Sequence, residues 1–150
     1  MHVLIGTDGS DDAITAATRA LPLLATPDTI TIACVVEPSG LETAGLESGF
    51  GGGIASPAEI ADEQAAASQT ATAAIERTAA ALDTGATVDR RIEYGDAGST
   101  MVHLADQLDV DVVVVGSRGR GAIRRALMGS VSTHVANNAP CPVVVVRVKD

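Results

Sequence analysis

The chain has 150 residues, 46% of them hydrophobic, and carries 19 acidic against 10 basic side chains for a formal net charge of −9. That length and apolar content specify one domain, residues 1–150, with a core of its own. No apolar run reaches the ~20 residues of a membrane span, and the acidic balance excludes general nucleic-acid binding, which needs a basic face.

Met1-His2-Val3-Leu4-Ile5 enters a strand pattern directly, without the basic and small-residue flanks of a secretory leader. The first strand runs from His2 to Thr7 and is followed by Asp8-Gly9-Ser10-Asp11-Asp12. Ser10 suits an N-cap and the two aspartates suit a first helical turn, where the helix dipole favours negative charge. Ile14, Ala17, Thr18 and Leu21 mark one face of that helix, which Pro22 kinks or ends. Ile30 to Val36 reads as a second strand. Pro38 to Ala55 is glycine-rich and aperiodic, either a surface loop or a flap over a ligand. Ser56-Pro57-Ala58-Glu59 has the form of a capping box with proline in the first turn, and predicts a helix to Thr84, stopped by Gly85. Its stripe is Ile60, Ala67, Ala71, Ile75 and Leu82. A third strand, Thr87 to Tyr94, alternates as an edge or near-edge strand does. Gly95-Asp96 leads into a helix with the face Met101, Leu104, Ala105 and Leu108. Val112 to Val115 is an unbroken β-branched run, too short for a helix and expected to be a buried strand. A glycine- and arginine-rich loop, a short helix from about Ser130 to Asn138 and a last strand from Cys141 to Val148 complete the chain. Cys34 and Cys141 lie in apolar runs, where small buried hydrophobes in a reducing cytoplasm are expected rather than a disulfide or metal pair.

Five strands alternating with helices imply an α/β fold, a parallel sheet with right-handed crossovers and helices on both faces. Ligands of such sheets sit beyond the carboxyl ends of the strands, where the strand order reverses. If strands one and four are central neighbours, that crevice is lined by Gly6-Thr7-Asp8 and by Gly116 to Gly119. A strand that opens into a glycine loop and then a helix start is suited to phosphate, because exposed N–H groups and the helix dipole both favour an anion. Gly116 and Gly119 let the backbone approach phosphate oxygens, and Ser130 can cap its helix and offer a hydroxyl; glycines after a strand also serve simply to turn the chain. Arg118, Arg120, Arg124 and Arg125 cluster in this loop, too locally for a duplex and suited to a small polyanion.

Taken together, Val3-Leu4-Ile5-Gly6-Thr7-Asp8-Gly9-Ser10, the Val112–Gly119 segment, Gly116-x2-Gly119-x9-Gly129-Ser130-Val131-Ser132 and Ala139-Pro140-Cys141-Pro142-Val143-Val144-Val145-Val146 resemble the universal stress proteins, and the glycine spacing resembles their ATP-binding branch. The resemblance covers nearly the whole chain. It implies a Rossmann-like, five-stranded parallel sheet of order 3-2-1-4-5 and a pocket for ATP or another adenine nucleotide. In that pocket Asp8 would take the ribose or a nucleotide-bound Mg, Thr7 would line the nucleoside side, and Val35 would lie against adenine. Gly116, Gly119, Gly129, Ser130 and Val131 would hold the phosphates and ribose. Arg118 or Arg120 would pair with phosphate bidentately, or else stand solvated or salt-bridged on the acidic surface. The resemblance also implies a homodimer through the last strand, Pro142 to Val148, whose apolar edge would otherwise invite aggregation.

A phosphate-loop lysine followed by serine or threonine is absent from the sequence. His2 opens a strand, and His103 and His134 fall on helices, so none is placed as a catalytic base. The expected function is a cytoplasmic, nucleotide-binding stress-response protein with at most slow ATP hydrolysis. Its rivals are a metal-dependent ATPase using Asp8 and a dimeric interaction module without nucleotide. Twelve aspartates and seven glutamates scattered through a hydrophobic chain are tolerable where salt screens them, with a Debye length of ~3 Å at 1 M. A halophile's cytoplasm is therefore expected.

Overall fold

The computed structural model describes residues 1–38, 56–119 and 128–148. The glycine-rich segment beyond Pro38, read as a surface loop or a flap, and the arginines Arg120, Arg124 and Arg125 lie outside the described residues.

Short runs of valine, isoleucine and threonine suit a pleated, half-buried surface, and among the described residues five of them become strands: β1 (His2–Gly6), β2 (Thr29–Val36), β3 (Thr87–Tyr94), β4 (Val112–Gly116) and β5 (Val143–Val146). They form one sheet in the order β3-β2-β1-β4-β5, and every pairing is parallel. The fold is the five-stranded parallel α/β sheet expected, with the order 3-2-1-4-5. Because successive side chains point to opposite faces, Val3, Ile5, Ile30, Ile32, Val112 and Val114 build one core layer against α1 (Asp11–Ala20) and α2 (Pro57–Ala81). Leu4, Ala33, Val113 and Val115 build the other against α3 (Ala97–Gln107) and α4 (Ser130–Asn138). Each fully buried Val, Leu or Ile contributes about 1.5–3 kcal/mol relative to exposure. The loops after β1 and β4 therefore rest on the best-packed part of the molecule. Among the described residues no helix is long and apolar enough to cross a membrane.

The helix starts follow their caps. Ser10 accepts from the Ala13 N–H, Ser56 and Glu59 complete a capping box, and Asp96 accepts from the Ser99 N–H. Several details differ from expectation, among them the last strand, which is Val143–Val146 and shorter at each end than Cys141–Val148. The buried face of α1 is Ala13, Ala16, Ala17 and Ala20, with Ile14 only half-buried; α1 lies closely against the end of β4, with Ala13 Cα and Ala16 Cβ each 3.7 Å from where a Cβ on Gly116 would stand. Helix α2 ends at Ala81, with Leu82 already extended, so Gly85 does not stop it. Its deeply buried residues are Ala71, Ala74, Ile75 and Thr78, while Ile60, Ala67 and Leu82 are half-buried. Gly129, not Ser130, is the N-cap of α4, and Ser130 is its first helical residue. Cys34 is buried, Cys141 half-buried, and both are free thiols.

Candidate functional site

The turn after β1 is built from its own short side chains. Gly9 takes a left-handed φ of 73°, which glycine adopts without steric cost, and its N–H donates to Thr7 Oγ1 at 3.0 Å. Asp8 Oδ1 accepts two hydrogen bonds from Ser10, from N at 2.9 Å and from Oγ at 2.6 Å. One edge of the carboxylate is fixed in this way, and the other turns toward Gly119: an ideal Cβ on Gly119 would lie 2.8 Å from Asp8 Oδ2. The Thr7 side chain, on the same sheet face as Val3 and Ile5, is buried against α2 and shares a hydrogen bond of 2.8 Å with Thr78 Oγ1.

The loop after β4 is tied to the start of α4. Gly129 N donates to Ser117 O at 2.7 Å, and Ser132 Oγ donates to Ser117 O at 3.2 Å and to Gly129 O at 3.0 Å. The first N–H groups of a helix have no acceptor within it. Here they belong to Ser130, Val131 and Ser132, and the dipole places partial positive charge at the same point. Gly116 fits closely, since a Cβ there would stand 3.1 Å from Arg118 O. Arg118 reaches the segment after β5, its Nη2 donating to Val148 O at 2.9 Å.

These two loops enclose a cavity of about 450 Å³. All nine residues singled out from the sequence, Thr7, Asp8, Val35, Gly116, Arg118, Gly119, Gly129, Ser130 and Val131, line it. Within it the Thr7 hydroxyl is engaged by Thr78 and Gly9, and Arg118 Nη2 donates to the Val148 carbonyl. Sequence reasoning missed Glu37, Ala97, Met101 and Val115 at the apolar end of the cavity. Met101 reads simply as core, and it does pack over Gly6, whose Cβ would meet Met101 Cε at 3.1 Å and Val115 Cγ1 at 3.2 Å. Glu37 follows β2 and accepts a long hydrogen bond of 3.4 Å from Ala97 N, joining the β2 end to the start of α3. Beside it, hydrogen bonds from the Ser99 hydroxyl and then the Ser99 N–H hold the Asp96 carboxyl below the usual carboxylate range.

The cavity thus has an apolar end between β2, β4 and α3, with Glu37 at its edge, and a glycine-lined end at the start of α4 beside the Asp8 carboxylate. It offers a planar apolar group a slot and an anion a set of backbone donors. His103 and His134 lie exposed along a separate open groove between α3 and α4, and His2 shares a hydrogen bond with Thr31 Oγ1 at 2.9 Å, at the opposite end of the sheet.

Solved structures share this architecture. Universal stress protein UspA from Lactobacillus plantarum is 25% identical, with 98% of this chain and 97% of that chain covered and a TM-score of 0.74. A universal stress protein crystallised in complex with cAMP is 26% identical, with 99% and 98% covered and a TM-score of 0.62. A curated relative from Staphylococcus haemolyticus, named as a universal stress protein, is 38% identical over 64 residues, which is 42% of this chain and 39% of that relative. The aligned part thus spans well under half the length of that curated relative. The profile of the Universal stress protein family matches residues 1–147, and the chain belongs to that family.

Proposed function

We propose that this universal stress protein is a binding module for ATP or another adenine nucleotide, working as a stress-response regulator in the cytoplasm with at most slow hydrolysis. The observation that carries this reading is the convergence of Gly116, Gly119, the α4 start and Asp8 on one cavity that also has an apolar slot. Its volume of about 450 Å³ falls within the range of roughly 300–1,000 Å³ usual for small-molecule sites. The 26%-identical relative in complex with cAMP lends the same support. In this reading the base lies between Val35, Met101 and Val115, Asp8 meets the ribose, and Gly119, Gly129, Ser130 and Val131 meet the phosphates with Arg118 nearby. A nucleotide-bound Mg also fits the site, since Mg commonly takes one or two carboxylates with phosphate oxygens and water; Asp8 would hold it in place of the ribose contact.

The edge strand β5 carries the half-buried run Val143–Val146, which supports a homodimer paired through the segment Pro142–Val148. Mass spectrometry of protein purified without added ligand, followed by calorimetric titration with ATP and Mg, tests the nucleotide reading. Co-purifying adenine nucleotide or saturable binding is expected, and neither appearing would overturn it. Turnover lost in Asp8→Ala but retained through repurification of the wild type would favour the hydrolase instead.

A further inference from the structure

We infer that Arg77 and Thr78, adjacent residues of α2, are positioning residues for the ligand-facing turn after β1; the inference rests on the nucleotide reading for its ligand. The two side chains hold two successive points of the turn. Thr78 Oγ1 shares a 2.8 Å hydrogen bond with Thr7 Oγ1 and also donates to Ala74 O at 2.8 Å. Arg77 Nη1 donates to Gly9 O at 2.7 Å, and its Nη2 donates to Asp11 Oδ1 at 2.9 Å. Asp8 lies between these anchors, with its carboxylate fixed by Ser10 on one edge and set against Gly119 on the other.

The chemistry of each anchor fits this task. A guanidinium carries diverging donors that can satisfy a carbonyl and a carboxylate together, which an ammonium on a flexible stem does less well. The Arg77–Asp11 pair is largely exposed, at 55% and 93%, and such pairs contribute little by themselves. The partly buried bond to the Gly9 carbonyl is therefore the more consequential. It fixes the backbone of the one residue in this turn with a left-handed φ. Thr78 is fully buried, so its hydroxyl serves the Thr7 contact and its own helix.

The test compares Arg77→Ala and Arg77→Lys, and Thr78→Val and Thr78→Ser, with wild type in two measurements. The first is amide exchange without nucleotide. Exchange at Gly9 and Ser10, whose N–H groups are bonded within the turn, is expected to rise about tenfold in Arg77→Ala and Thr78→Val while β4 amides keep their protection. The second is affinity for ATP and for tripolyphosphate. Arg77→Ala weakens ATP about tenfold and leaves tripolyphosphate within about twofold, because the glycine loop and the α4 start receive the phosphates. Arg77→Lys and Thr78→Ser recover part of each loss. Unchanged exchange at Gly9 and Ser10, or equal losses for ATP and tripolyphosphate, would overturn the inference. Wild type that binds no ATP, with the exchange response present, would sink the nucleotide reading and leave the positioning role standing.

Discussion

Gly119→Ala is the sharpest probe of the cavity, because the two loops come closest at that residue. The added Cβ would stand 2.8 Å from Asp8 Oδ2, well inside ordinary van der Waals contact, while the backbone there is one any residue can adopt. Asp8 cannot retreat at no cost, since its other oxygen is bonded by Ser10 N at 2.9 Å and Ser10 Oγ at 2.6 Å. Losing one hydrogen bond to a charged group costs about 1.5–3 kcal/mol, or roughly a 10- to 150-fold weaker ligand if the displaced carboxylate also misses the ribose. Taking about thirtyfold, ATP supplied at ~100 times the wild-type Kd stabilises wild type by about 2.7 kcal/mol and the variant by about 0.9 kcal/mol. For a chain of this size those values correspond to shifts of roughly 5–11 °C and 2–4 °C in melting temperature. Thermal melts with and without ATP, backed by calorimetric titration, provide the assay. A wild-type shift in Gly119→Ala would refute the reasoning. So would a second loss when the substitution is made in Asp8→Ala, because with the carboxylate gone the clash is gone and the two effects should not add.

Other outcomes follow from the same geometry. Pro142 O accepts from Val113 N at 3.0 Å and Val146 O from Ser117 N at 2.8 Å, so by alternation Val145 turns its N–H outward; Val145→Pro should dissolve the proposed dimer in light scattering while the ladder to β4 and the far-UV spectrum survive. Asp96, bonded by the Ser99 hydroxyl and N–H, and Glu59, bonded by the Ser56 N–H and hydroxyl, both have carboxyls held below their ordinary range. Their contribution to stability is complete above the ordinary carboxylate range and is lost as pH falls through their lowered folded values. Melts from pH 7 to 3 should therefore show a shallower acid limb in the Glu59→Gln, Asp96→Asn double variant. With a net charge of −9, the melting temperature should rise from dilute buffer to molar KCl; no rise would remove the argument for a high-salt cytoplasm. Gly129→Ala should melt, without ligand, within about 3 °C of wild type, since its Cβ meets nothing closer than Ser117 O at 3.5 Å.

What could be read from the sequence divides along the range of the forces involved. Strand β3 was legible to both ends, because alternation is a property of the strand itself and Gly95 follows it. Ser10, Ser56 and Asp96 were legible as helix starts because a cap acts within three residues. The buried face of α1 was not. Size favours Ile14 as a core residue, but the depth of the groove over β4 selects alanine, and that depth exists only once the sheet is assembled. Ser130 suits an N-cap by residue type, but Gly129 takes that position, where a carbonyl outside the helix, Ser117 O, captures its N–H. Arg77 and Thr78 reach back across 68 and 71 residues to the β1 turn, a distance over which neither periodicity nor spacing carries a signal.

The glycine motif itself shows why a pattern can be legible while its reasons are not. Its three glycines look equivalent in the sequence, yet the folded chain needs each for a different purpose. Gly119 makes room for the Asp8 carboxylate, a side chain from the other half of the cavity. Gly116 lies under the Arg118 carbonyl at 3.1 Å, so its constraint comes from the turn of its own loop. Gly129 has only ordinary contacts, and its part is to cap α4 while its N–H closes the loop on Ser117. The spacing between them therefore encodes three separate distances: to the opposite loop, to the local turn and to the next helix. Only the first depends on β1 and β4 being neighbours. That makes Gly119, rather than the motif as a whole, the residue that ties the glycine loop to Asp8 and turns two strand ends into one site.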